Sequence, residues 1–359
     1  MPPAQDSSHK VRGRRVATRP LFFKKHVLPS EAIRFIGMHM FPHLVLPLKQ
    51  EHGSYAMLST NPVKRTAIVF VHGFAGDAMT TWLQFQTLID LLQNRFPHYA
   101  ASDLYFYSYD SLKTKLPANA QRCLDFIHHI YPRPDRSSLI DDAPLSFLPD
   151  VLQSTSVLAA SYLPESYQEL ILVGHSLGGV VIRMAVWFAL RGASDPTAMH
   201  AVGARSIEER CRFVIDAEPV LSGELTLFGP AILGSRLPVW MSQALALVAG
   251  IPSAGPAILQ TLGLALPSIY ELQCEDKVLS DLRRFTEDAA DQFPFVKSLR
   301  GRVMWGEQDK VVEMWQYKYD NPVRYLPKIG HMNVCKPSQD HTDPLAFVIY
   351  GRETQTTAG

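Results

Sequence analysis

The chain of 359 residues is 47% hydrophobic and 19% charged, a composition that supports a sizeable core in one large domain or two ordinary ones. Its net charge of +1 provides no global field for nucleic acid or for an acidic substrate, so neither is expected as a partner. Four cysteines, Cys123, Cys211, Cys274 and Cys335, stand apart with no C-x-x-C pair and no His/Cys cluster at zinc spacing. That pattern speaks against a disulfide framework and a bound metal, and for a reducing compartment.

Residues 1–20 are polar, basic and without periodicity, and are expected to form a flexible arm. The first 25 residues hold seven Lys or Arg against the single acid Asp6, so they carry +6 and the remaining chain −5. The start lacks the apolar core and cleavage site of a secretory signal, which predicts a cytoplasmic protein and leaves organelle targeting by the basic arm open. Residues 21–53 mix Pro, Ile, Phe and Met and are expected to pack on the adjoining domain.

Ser54–Leu58 has the look of a short strand, broken by Asn61-Pro62. Ala67–Val71 is a continuous apolar run ending in His72-Gly73, as in a strand buried on both faces of a parallel sheet. Leu104–Tyr107 follows a helix-like Trp82–Leu92. Leu170–Val173, Leu225–Phe228 and Arg302–Trp305 repeat the apolar pattern at intervals suited to βα units. Alternating strands and helices predict an α/β fold over residues 54–350, a mostly parallel central sheet with helices on both faces. Residues 132–165, rich in Pro, Ser and Asp, read as a surface insertion, and 351–359 as a tail. Leu237–Tyr270 is 34 residues without a formal charge, long enough to suggest a membrane span. Gly250, Pro252, Gly255 and Pro256 cut it into pieces too short for one, so an apolar helical cap over 237–270 is predicted, with peripheral membrane contact as a further expectation.

At the centre lies Leu170-Ile-Leu-Val-Gly174-His-Ser176-Leu-Gly178-Gly179. In G-x-S-x-G the serine occupies a tight turn from strand to helix, and the flanking glycines relieve crowding against the neighbouring elements. The turn also sets the free N–H groups of the next helix behind the hydroxyl, where negative charge is favoured. Val180–Leu190 carries only Arg183 as a charge and reads as a helix buried nearly all round. A serine hydroxyl needs a base, and the base needs an acid that holds its tautomer. On such a sheet the three follow in the order serine, acid, histidine.

Asp309, in the turn after Arg302–Trp305, is the chosen acid, with Glu307 as local rival and Asp216 and Glu218 as weaker ones. His331, on a loop some 20 residues later, is the chosen base. His341 competes, but its neighbours Asp340, Thr342 and Asp343-Pro344 suggest the start of a helix. The other eleven histidines precede Asp309. Two donors are needed for an oxyanion: the backbone N–H of Leu177, after the serine, and that of Phe74, in the loop His72–Asp77.

Together, Val71-His72-Gly73-Phe74, Gly174–Gly179, Gly306–Asp309 and Gly330-His331 resemble the α/β-hydrolase superfamily, over about residues 54–350. Within it, His72–Asp77 with Thr81-Trp82, Ser102–Tyr109, and His331 with Cys335-Lys336-Pro337 look like the lipase-like serine esterases related to GPI inositol-deacylases and serine active site-containing proteins. Phe228–Ser235 resembles that group's T-P-H-x-G-S loop, but is one residue longer and has Ala231 where a histidine is common. The resemblance implies a hydrolase of lipid-like or acyl esters that uses Ser176, His331 and Asp309 and no cofactor. Acyl transfer to an alcohol and a non-catalytic binding protein on the same fold are the alternatives, and the sequence leaves the oligomeric state open.

Overall fold

A computed structural model describes residues 43–49, 53–61, 63, 66–92, 94–139, 162–201, 203–234 and 277–350. All of them fall in the unit Pro42–Gly359. The basic arm, most of the 21–53 segment, the middle of the 132–165 insertion, the predicted cap 237–270 and the tail lie outside the described residues.

Eight strands form a single sheet: β1 (His43–Pro47), β2 (Tyr55–Ser59), β3 (Thr66–Val71), β4 (Ser102–Tyr107), β5 (Glu169–His175), β6 (Glu224–Phe228), β7 (Gly301–Gly306) and β8 (Val323–Leu326). Their spatial order is β1-β2-β4-β3-β5-β6-β7-β8. β2 pairs antiparallel with both β1 and β4, and every other pairing is parallel. The predicted mostly parallel sheet is present, and β3 and β5 lie side by side at its centre. Each inner strand is buried on both faces, the reason that its sequence runs apolar without alternation.

The helices that cover the sheet are α1 (Ala78–Leu91), α2 (Leu116–His128), α3 (Leu177–Ala193), α4 (Ile207–Ala217), α5 (Lys277–Gln292) and α6 (Asp343–Val348). Local chemistry sets their starts. Asp77 caps α1 by accepting from the Thr80 N–H, and Ser206 with Glu209 forms a capping box on α4. Pro117 and Pro344 stand in the first turns of α2 and α6, where a missing N–H costs nothing.

The two faces of the sheet bury separate cores. On one, α2, α3, α4 and α5 cover Val69, Val71, Leu170, Leu172 and Leu227. On the other, α1 and α6 cover Ile68, Phe70, Ile171, Val173 and Phe228, with Trp82 packed 5.1 Å from Phe70 and 6.4 Å from Phe228 between ring centroids. Each fully buried side chain of this kind contributes about 1.5–3 kcal/mol. The sequence pattern does not predict β1, β8 or α5. β1 and β8 are edge strands of five and four residues, partly exposed, and carry too few apolar positions to stand out.

Among the described residues no helix is long and apolar enough to cross a membrane.

Candidate active site

The parallel strands end along one edge of the sheet, and every residue singled out for chemistry lies in the turns that leave it. β5 ends at His175, and α3 starts at Leu177, so Ser176 alone turns the chain. Its backbone sits at φ 53°, ψ −121°, a region that costs a side-chain-bearing residue on the order of 1–3 kcal/mol. Three backbone bonds hold it there. The Ser176 N–H donates to the Phe228 carbonyl at 3.0 Å, and its own carbonyl accepts from Gly179 at 3.1 Å and Ala231 at 3.3 Å. The flanking Gly178 is needed for close approach, because a Cβ there would stand 2.3 Å from the His72 carbonyl oxygen.

The serine hydroxyl lies 2.9 Å from His331 Nε2, and His331 Nδ1 lies 2.7 Å from Asp309 Oδ2. A carboxylate can only accept, so Nδ1 carries the proton and donates it to Asp309. Nε2 is then left bare to accept from the Ser176 hydroxyl. The other Asp309 oxygen accepts from the Val311 and Val312 N–H groups at 2.9 and 3.1 Å. Burial pushes the Asp309 carboxyl up, but the His331 bond and charge, with the two valine N–H groups, outweigh it and hold the carboxyl below its ordinary value.

The rival residues lie elsewhere. Glu307 is exposed on the same turn. Asp216 is exposed near the end of α4, and Glu218 pairs with His128 at 2.9 Å. His341 sits just before α6 and pairs with Asp343 at 3.0 Å, in keeping with its reading as a helix start.

The His72–Asp77 loop lies against the serine: a Cβ on Gly73 would come within 2.9 Å of the Ser176 Cβ. His72 organises this loop. Its Nδ1–H donates to the Gly73 carbonyl at 2.8 Å, and its Nε2 accepts the Tyr109 N–H at 3.2 Å. The Tyr109 hydroxyl donates back to the His72 carbonyl at 3.0 Å, and the two rings stack at 4.4 Å. Burial lowers the His72 pKa to about 4, so the ring is neutral at physiological pH. The Ala75 N–H, on a residue at φ 53°, is taken up by Ser111 Oγ at 2.9 Å. Among the described residues the N–H groups of Phe74 and Leu177 meet no acceptor, and Leu177, as the first residue of α3, has none within its own helix.

Four contributors carry no clear signal of their role in the sequence. Tyr109 and Ser111 follow β4 and clamp the serine-side loop; Tyr109 ends the resembling stretch Ser102–Tyr109, but nothing there assigns it this role, and nothing marks Ser111 apart from a turn. His175, inside the G-x-S-x-G motif itself, donates from Nε2 to the His331 carbonyl at 3.0 Å. Ala231, where a histidine is common in the resembling group, is buried and contributes its backbone N–H to the serine turn.

No group of acidic, histidine or cysteine side chains suited to a metal ion occurs among the described residues.

A family model described as the alpha/beta hydrolase family matches residues 68–344, which takes in most of β3, the strands from β4 to β8 and every residue of this site. The chain belongs to the alpha/beta hydrolase family. No curated protein sequence matches it. Among solved structures it is similar to a bacterial membrane phospholipase A described as a virulence factor, at 13% identity and a TM-score of 0.41, with 89% of each chain covered. It is also similar to the phospholipase PlaB from Legionella pneumophila at 15% and 0.34, covering 68% of this chain and 39% of that one. The carboxylesterase CesB from Bacillus subtilis gives 11% and 0.39, with 89% and 95% covered. At such identities and scores these likenesses carry no weight for substrate.

Proposed function

We propose that this protein is a serine hydrolase that cleaves carboxylic esters of lipid-like or acyl substrates. The observation that carries the proposal is the unbroken chain from Asp309 Oδ2 through His331 to Ser176 Oγ, at 2.7 and 2.9 Å, with the serine on a strained turn ahead of a buried helix.

In this reading Ser176 Oγ attacks the ester carbonyl while His331 Nε2 takes its proton, and Asp309 stabilises the imidazolium that forms. The tetrahedral oxyanion is received by the unengaged N–H groups of Phe74 and Leu177. As the intermediate collapses, the C–O bond to the alcohol breaks and His331 returns the proton to the leaving oxygen. Water then attacks the acyl-enzyme with His331 again as base, which frees the acid and restores the serine. None of these steps calls for a metal or an organic cofactor.

An apolar acyl group is supported by what borders the site. Met332, next to the base, is 60% exposed, and Phe74 is partly exposed beside the proposed oxyanion donors. In this reading both supply apolar surface to an acyl chain.

A fluorophosphonate probe tests the proposal, because it phosphonylates only an activated serine. Labelling of the native protein at Ser176, absent from Ser176→Ala, is expected. No labelling, or equal labelling of both proteins, would overturn it.

A further inference from the structure

The residue before the nucleophile, His175, is placed to do more than fill space. It is the last residue of β5 and its side chain is buried. Its Nε2 lies 3.0 Å from the carbonyl oxygen of His331, and the two imidazole centroids are 5.0 Å apart. A carbonyl only accepts, so His175 Nε2 must carry the proton and Nδ1 must be bare. The bare side of the ring backs onto the proposed oxyanion loop: a Cβ on Gly73 would stand 3.1 Å from Nδ1. One small ring thus touches the end of the strand that bears the serine, the backbone of the base and the loop that bears Phe74.

The His331 segment needs such a tie. It is a single 3-10 turn, His331–Asn333, outside the sheet ladder. Among the described residues His175 is the one side chain that donates to the His331 carbonyl. Burial, and then the neighbouring His331, push the His175 pKa down to about 3, so it serves as a neutral donor. A cationic donor in its place would oppose the imidazolium that forms on His331 during attack. An apolar ring would leave the His331 carbonyl without its side-chain donor.

We propose that His175 is a positioning residue of the hydrolase, whose Nε2–H bond to the His331 carbonyl fixes the base against Ser176. This rests on the serine-hydrolase reading above. Reacting groups displaced by about 1 Å can lose on the order of 100-fold in rate, so a lost tie should be visible in turnover rather than in binding.

The test compares His175→Gln with His175→Met. The two side chains have the same length, and only glutamine carries an N–H near the position of Nε2. With p-nitrophenyl butyrate as substrate, Met is expected to lower kcat by about 10- to 100-fold with KM changed less than about 3-fold. Gln is expected to recover most of the rate, and fluorophosphonate labelling rates should follow kcat. His175→Asn, whose shorter amide cannot reach the carbonyl, is expected to behave as Met does and replaces it should Met fail to give a cooperative melt. Equal kcat in Gln and the donor-less variants, whether both high or both low, would overturn the proposal. If wild type hydrolyses the ester and labels at Ser176 while Met keeps full kcat, only the role of His175 falls. If wild type does neither, the serine-hydrolase reading falls and takes this role with it.

Discussion

The two edges of the sheet both bury charged and polar groups, and they treat them in opposite ways. At the edge where the parallel strands begin, polar side chains cross-link neighbours. Thr66 at the start of β3 donates to Glu169 at the start of β5 at 3.0 Å. Asp103 in β4 accepts from the Ser59 N–H at 2.7 Å and the Tyr167 hydroxyl at 2.6 Å. Arg183 of α3 donates to both oxygens of Asp320 at 2.6 Å, and the same carboxylate takes the Gly301 N–H at 2.7 Å and the Tyr317 N–H at 3.0 Å. At the edge where the strands end, the carboxylate of Asp309 is likewise fully engaged, but its partner passes the interaction on to a serine held on strained backbone. Beside that serine stand two N–H groups that meet no acceptor among the described residues. Burial by itself therefore does not make a site. What separates the edges is what the hydrogen-bond chain reaches. At one it ends in a fixed ion pair, where Arg183 Nε and Nη1 find no acceptor among the described residues and the guanidinium lies over the Tyr317 ring. At the other it ends in a serine hydroxyl.

The largest effect should come from breaking the open edge at its closed end. Asp309→Asn leaves the shape of the side chain but offers an N–H₂ or a carbonyl oxygen to His331, so the tautomer with Nε2 bare loses its support. Turnover of p-nitrophenyl butyrate is expected to fall by about 10⁴-fold with KM little changed. A loss below about 10-fold would mean that another acid orients the base, and Glu307 would be the first to substitute next.

The matching change at the closed edge should act on stability and leave chemistry alone. Arg183→Met removes one half of a buried ion pair and leaves Asp320 uncompensated, an effect of about 3–5 kcal/mol. Urea denaturation is expected to show that loss, while the fluorophosphonate labelling rate per folded molecule stays within about 2-fold of wild type. A labelling rate that fell with stability intact would mean that the pair belongs to the site, and the contrast between the edges would fail.

The open edge is easier to see in the sequence than the closed one, for a physical reason. Reaction chemistry demands particular residue types in a fixed chain order, so Gly174–Gly178, Asp309 and His331 can be selected from many acids and histidines. The inner strands are legible because burial on both faces removes polar residues almost altogether. β1 and β8 are not, being short edge strands with mixed patterns. Arg183 stands out only as the one charge within the apolar run Val180–Leu190; its partner Asp320 lies 137 residues away and follows no spacing rule. His175 is in plain view within the motif, yet its bond to the His331 carbonyl depends on a loop 156 residues later. Pairings between distant segments are properties of the fold, and a single sequence does not carry them.

The smallest effect separates the edges by pH. His72 and His175 are buried neutral at the open edge, with pKa values lowered from 6.5 to about 4 and about 3. In the unfolded chain both would titrate near 6.5, so below that pH the unfolded state binds more protons than the native state and stability falls. The loss begins near pH 6.5 and continues down to the folded-state values, at about 1.4 kcal/mol per pH unit for each histidine. Asp309 adds a loss only at lower pH, because its depressed carboxyl stabilises the fold above its unfolded value and ceases to do so as acid protonates it. Urea denaturation at pH 6.5, 5.5 and 4.5 should therefore show a slope of roughly two protons in wild type and about one in His175→Gln. An unchanged slope in that variant would place the acid sensitivity at groups other than His175, and would remove its buried, neutral donor from the account of how the base is held.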